Sequence, residues 1–67
     1  MQKQVELTLE EIFENNIAKI QGDTVKITVQ TVIGNQLKRL DQEVRPLSKD
    51  MILKRSGTGI TILATIK

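Results

Sequence analysis

The segment "DMILKRSGTGITILATIK", residues 50 to 67, constrains this chain most tightly. Two stretches rich in β-branched and aliphatic residues flank Ser56-Gly57-Thr58-Gly59, and glycine supplies the positive φ that a tight reversal needs. Such a pattern predicts an antiparallel hairpin. In its second arm Ile60, Ile62, Ala64 and Ile66 alternate with Thr61, Leu63 and Thr65, so one face is apolar and the other mostly polar. Leu63 on the polar face is a candidate contact with a second subunit.

A second alternating segment, "GDTVKITVQTVIGNQ", runs from residue 22 to residue 36. Val25, Ile27 and Val29 share one face, with Lys26, Thr28 and Gln30 on the other. Val32 falls out of phase, which predicts a bulge or sharp twist near residues 30 to 32. Gly34-Asn35 has the composition of a two-residue hairpin turn and predicts a returning strand from Gln36 to about Leu40. Leu37, Leu40, Val44 and Leu47 carry helical spacing instead, so irregular chain is expected from there to Pro46.

Upstream, "LTLEEIF" has the form of a helix start. Thr8 and Glu11 can make a capping box, with Leu7 stapled to Ile12. This predicts an amphipathic helix over residues 9 to 20 that buries Leu9, Ile12, Phe13, Ile17 and Ile20 and stops at Gly22. Glu10, Glu11 and Glu14 would then complement the helix dipole. Val5 and Leu7 alternate with polar residues and suggest a short preceding strand. The expected fold is α+β: residues 1–67 form a single small β-rich domain of two hairpins with one N-terminal helix.

Composition limits what such a domain can do. With 67 residues, no cysteine and no histidine, the chain lacks both disulfide and imidazole staples. A core this small supplies about 3–5 kcal/mol of net stability, which makes a homodimer the expected state. Ser48 and Ser56 have no imidazole to activate them, and "SGTG" continues into Ile60 rather than into a Gly-Lys pair. The expected protein is therefore no enzyme and uses no cofactor, metal or small-molecule substrate. No apolar run reaches the ~18 residues of a membrane span and no signal-peptide core is evident, so a cytoplasmic location is expected.

Charge is divided along the chain. In residues 1 to 23, Lys3 and Lys19 stand against Glu6, Glu10, Glu11, Glu14 and Asp23, a net of −3. In residues 24 to 67, Lys26, Lys38, Arg39, Arg45, Lys49, Lys54, Arg55 and Lys67 stand against Asp41, Glu43 and Asp50, a net of +5. A polyanion is the expected partner of the second part. Lys38 and Arg39, Arg45, and Lys54 and Arg55 would supply phosphate contacts if the fold gathers them. Phe13 is the only aromatic residue, so base stacking has no platform.

Gly22-Asp23, the alternating "VKITV" and Val32-Ile33-Gly34-Asn35-Gln36-Leu37 together resemble the central strand pair of the carbon storage regulator family of small bacterial RNA-binding proteins. "VELTLEEIF" is similar to that family's last strand and helix, and "MILKRSGTGITI" to its opening hairpin, although here their order is reversed. The resemblance implies an intertwined homodimer that binds messenger leaders and blocks translation. It carries over Lys54 and Arg55 as the basic pair, with Ile52 as a neighbouring apolar contact. Leu9 stands where the family has an arginine, so a principal RNA contact is absent. "PLSKDMILKRSGTGITI" also looks like the closing hairpin of the transition-state-regulator family, which keeps open a swapped-hairpin regulator that binds DNA. A protein-interaction or assembly module of phage or plasmid origin is the remaining alternative.

Overall fold

A computed structural model describes residues 2–67. One face of a four-stranded antiparallel sheet is covered by helical segments. In chain order the elements are α1 (Gln2–Ile12), β1 (Lys19–Gln21), β2 (Thr24–Val29), α2 (Gly34–Arg39), β3 (Ser48–Ser56) and β4 (Gly59–Ile66). The strand order is β1-β2-β4-β3. The architecture is thus a small α+β domain with two antiparallel hairpins and an N-terminal helix.

The closing hairpin forms as its pattern requires. Ser56 pairs with Gly59 across a two-residue turn in which Gly57 has φ +60°, the left-handed region where a side chain is penalised. Strand β4 is central, pairing Val25, Ile27 and Val29 of β2 with Ala64, Ile62 and Ile60. These pairs turn toward the helices. The other hairpin lies elsewhere than expected: β1 and β2 join through Gly22-Asp23, with Gly22 at φ +60°. Gly22 therefore reverses a strand and does not end a helix.

The N-terminal helix is displaced by about two turns from the expected 9 to 20. Val5, Leu9, Ile12 and Phe13 form its buried stripe, so the 3.6-residue pattern extends backward to Val5, and Val5 and Leu7 lie in the helix rather than in a strand. Thr8 sits inside the helix, its Oγ1 donating to the Gln4 carbonyl at 2.8 Å, and makes no cap. Leu7 is 54 % exposed and staples nothing. The helix ends because Asn15 adopts φ 69°, after which the Ala18 N–H donates to Glu10 Oε2 at 3.0 Å. Ile17 and Ile20 consequently leave the helix, and Ile17 is 77 % exposed.

Gly34-Asn35-Gln36 starts a helix where a hairpin was expected, so the strand from Gln36 to Leu40 does not exist. Gln36 holds this start together. Its Oε1 accepts the Ile33 N–H at 3.0 Å, and its Nε2 donates to the Ile12 carbonyl at 3.5 Å. The expected bulge near residues 30 to 32 is the end of β2 at Val29 and a connection to α2. Beyond α2 the backbone widens into a π-helical turn over Leu40–Val44, where the Arg45 N–H donates to the Leu40 carbonyl. It then tightens to a 3-10 turn over Arg45–Leu47, with Pro46 where its missing N–H does no harm. Leu40 and Val44 both reach the core this way. Leu37, Leu40, Val44 and Leu47 keep their helical spacing, but Leu37 is left exposed.

Candidate nucleic-acid interface

The fold distributes the six sequence-derived site residues over two sides of the molecule. Lys38, Arg39 and Arg45 belong to the helical layer. Arg39 donates from Nε to Glu43 Oε2 at 2.7 Å and from Nη2 to Glu11 Oε1 at 3.0 Å. Those hydrogen bonds raise the guanidinium's pKa further above its already high value, and the bond from Arg39 lowers that of the Glu43 carboxyl. Arg45 is paired with Asp41 at 3.2 Å. Both arginines thus pair with this chain's own carboxylates at solvent-exposed positions, where such pairs are worth about 0–1 kcal/mol, and Lys38 is the cation of the set without an ion pair among the described residues.

Strand alternation separates the other three. In β3, Met51, Leu53 and Arg55 pair with Ala64, Ile62 and Ile60, which places them on the helix side of the sheet. Ile52 and Lys54 pair with Leu63 and Thr61 on the opposite side, which no helix covers. Lys54 and Arg55, adjacent in sequence, therefore point to opposite faces of the sheet.

The open side of the sheet has an order that can be read row by row from the register. One row runs Lys19–Lys26–Leu63–Ile52 across all four strands. On one side of it lies Thr28–Thr61–Lys54, and on the other Gln21–Thr24–Thr65–Asp50. Threonine hydroxyls face each other across β2 and β4, Thr28 to Thr61 at 3.3 Å and Thr24 to Thr65 at 3.5 Å. Lys19 and Lys26 are direct cross-strand neighbours, an arrangement of like charges that costs stability. Among the described residues neither forms an ion pair; the four pairs present all involve helical segments. Ile17, Lys19, Gln21, Lys26 and Thr28 line a shallow hollow at this point.

Charge follows the same division. The helical side, residues 2–18 and 30–47, holds four cations and six anions for a net of −2. The strands and their turns, residues 19–29 and 48–67, hold six cations and two anions for a net of +4. The asymmetry along the chain becomes an asymmetry between two layers. Lys19 and Lys26 were not singled out from sequence as site residues. For Lys26 the signal was its place on the polar side of β2, whereas Lys19 required knowing that Gly22-Asp23 turns a hairpin.

The described residues contain no group of three or more His, Cys, Asp or Glu side chains that could hold a metal ion. No helix among them is long and apolar enough to cross a membrane. A second hollow, lined by Phe13, Glu14, Asn15, Asn16 and Gln36 among others, offers a single carboxylate among amides. Comparison with known proteins gives no match, whether to a family model, a curated protein or a solved structure.

Proposed function

We propose that this chain is a non-enzymatic, cytoplasmic regulator that binds nucleic acid, with single-stranded RNA as its target, through the open face of its sheet. The observation that carries this reading is the Lys19–Lys26 pair: like charges set directly opposite each other, without a carboxylate partner among the described residues, on the face of the sheet away from the helices. A bound phosphate would relieve that repulsion. Thr24, Thr28, Gln21 and Thr65 supply neutral donors and acceptors around it, suited to sugar and base edges. Lys54 lies on the same face, two strands and one row from Lys26, or about 12 Å at ordinary strand spacing and rise. Phe13 is buried in the core, so binding would rest on phosphate contacts and hydrogen bonds rather than on stacking. A shallow sheet surface favours a flexible single strand over a rigid duplex.

A DNA reading draws on a different observation. The tip of the β3–β4 hairpin exposes Lys54, Arg55, Ser56 and Thr58, and a two-stranded ribbon fits the major groove of duplex DNA.

Anisotropy of a labelled single-stranded RNA pool across a salt series, with a duplex DNA competitor, separates these readings. Replacing Lys19 and Lys26 together by glutamine is expected to weaken RNA binding about tenfold or more at low salt and to flatten the salt slope by about 1.4, at about 0.7 per phosphate contact. Preference for duplex DNA, with the loss falling instead on Lys54→Ala/Arg55→Ala, would favour the ribbon. Absence of any binding at low salt would exclude both and direct attention to a protein partner.

A further inference from the structure

The sheet has two edges of very different character. β1 is three residues long, whereas β3 spans nine and, among the described residues, has nothing paired along its outer side. Edge strands of that length are normally blunted. β3 has a bulge at Lys49, between Ser48 and Asp50, and charged residues near its tip. Between them, however, residues 50–54 run in regular register with three sizeable aliphatic side chains: Met51 half-buried, Ile52 48 % exposed and Leu53 39 % exposed.

Backbone geometry makes this stretch a usable template. Ser56 and Gly59 close a two-residue turn, so they form a hydrogen-bonded pair, and the alternation of an antiparallel ladder then directs the N–H and C=O groups of Met51, Leu53 and Arg55 away from β4. We propose that β3 pairs antiparallel with β3 of a second copy of this chain, joining two four-stranded sheets into one of eight strands.

The side chains select the register. A two-fold axis normal to the sheet keeps both helical layers on one side, so the pairing must be centred on a residue rather than between two. Centred on Ile52, it sets Asp50 opposite Lys54 of the partner subunit, and Lys54 opposite the partner's Asp50, all on the open face. Ile52 meets its own counterpart, while Met51 and Leu53 cover each other on the helix side through outward-facing backbone groups. Registers centred on Met51 or Leu53 place Asp50 opposite Ile52 or Ser56 of the partner subunit and leave every charge unmatched. The one like-charged pairing in the favoured register, Lys49 with the partner's Arg55, falls at the bulge, where regular pairing has already ended.

This dimer needs no exchange of strands, because each chain closes its own core. It also neutralises Lys54, leaving Lys19 and Lys26 as the free cations of each half of the open face. The inference does not depend on nucleic-acid binding and is tested without it.

Sedimentation equilibrium of the full chain should give twice its 7.6 kDa mass. Asp50→Lys and Lys54→Asp should each weaken the dimer about tenfold or more, since each turns two attractive pairs into repulsive ones. Mixing the two single variants should restore a dimer of one copy each, because lysines at both positions of one chain then face aspartates at both positions of the other. Far-UV circular dichroism establishes that each variant is folded. A monomeric wild type, or folded single variants that associate as well as wild type does, or a mixture that fails to form the mixed dimer, would overturn the proposal.

Discussion

Replacing Gly34 by alanine separates two structures that the same residues could adopt. In the fold described above Gly34 is the first residue of α2, its φ lies outside the left-handed region, and an added Cβ would have no atom within 4 Å. Alanine then restricts the unfolded chain without straining the folded one, a gain of about 0.4–1 kcal/mol. At the first turn of a short helix the lower part of that range, about 0.5 kcal/mol, is expected, which at 4–8 °C per kcal/mol for a domain of this size raises Tm by about 2–4 °C. A Gly-Asn hairpin turn would give the opposite sign. With glycine as its first central residue such a turn needs positive φ at Gly34, so alanine would cost about 1–2 kcal/mol. Gly59→Ala is the matched comparison. Its Cβ would lie 2.6 Å from the Val29 carbonyl oxygen, a backbone atom held by the β2–β4 ladder. Overpacking of that kind costs about 1–3 kcal/mol. Thermal and urea unfolding by circular dichroism read both variants. A Gly34→Ala chain less stable than wild type by about 1 kcal/mol or more would refute α2 and with it the path of residues 33 to 47.

The core and the helical ion pairs give further expectations. Leu9 is fully buried at the centre of the α1 stripe, so Leu9→Ala should cost about 2–5 kcal/mol and leave a domain of this size largely unfolded at 25 °C, with the native circular dichroism signal lost; a fully folded variant with a near-wild-type urea midpoint would contradict the packing. Glu43 accepts two hydrogen bonds from Arg39 that hold its pKa down. A depressed folded-state value stabilises the native chain above the ordinary glutamate pKa of about 4.3, and the contribution disappears as pH falls through the folded value. Wild type should therefore exceed Glu43→Gln in stability at neutral pH, with the difference closing in acid; a difference unchanged by acid would show that the pairing is not ionic in origin.

How much of this was legible in the sequence depended on whether a pattern had one structural meaning. Val25, Ile27 and Val29, and the glycine-centred closing hairpin, have period two over enough residues that a helix could not bury the same set. Their faces and turn follow directly. The region from Val5 to Ile12 was ambiguous because it satisfies both a strand alternation and a helical stripe. Thr8 and Glu11 imitate a cap, yet Thr8 bonds backward to Gln4, and the apolar stripe that decides the matter begins at Val5. Gly34-Asn35 is a strong turn signal only if strands flank it. Gln36 instead satisfies the Ile33 N–H, and a helix follows. The π-helical turn at Leu40–Val44 answers to the need to seat Leu40 and Val44 in the core, a demand of the sheet beneath them that local spacing does not express.

For the site, the basic character of the second part of the chain was legible, but its grouping was not. Arg39 and Arg45 pair with Glu11, Glu43 and Asp41, and Glu11 is 28 positions away from Arg39 in sequence. Lys54 and Arg55 are divided by strand alternation. Lys19 joins Lys26 only through the Gly22-Asp23 turn, a long-range fact for a residue expected in a helix.

The most direct test of the central claim is the salt dependence of single-stranded RNA binding by wild type and by Lys19→Gln/Lys26→Gln, measured side by side with folding confirmed for both. The account predicts measurable affinity for wild type at low salt, with a log–log slope steeper than the variant's by about 1.4 and an affinity about tenfold or more higher. Equal affinities and equal slopes, or no binding by wild type at all, would contradict it.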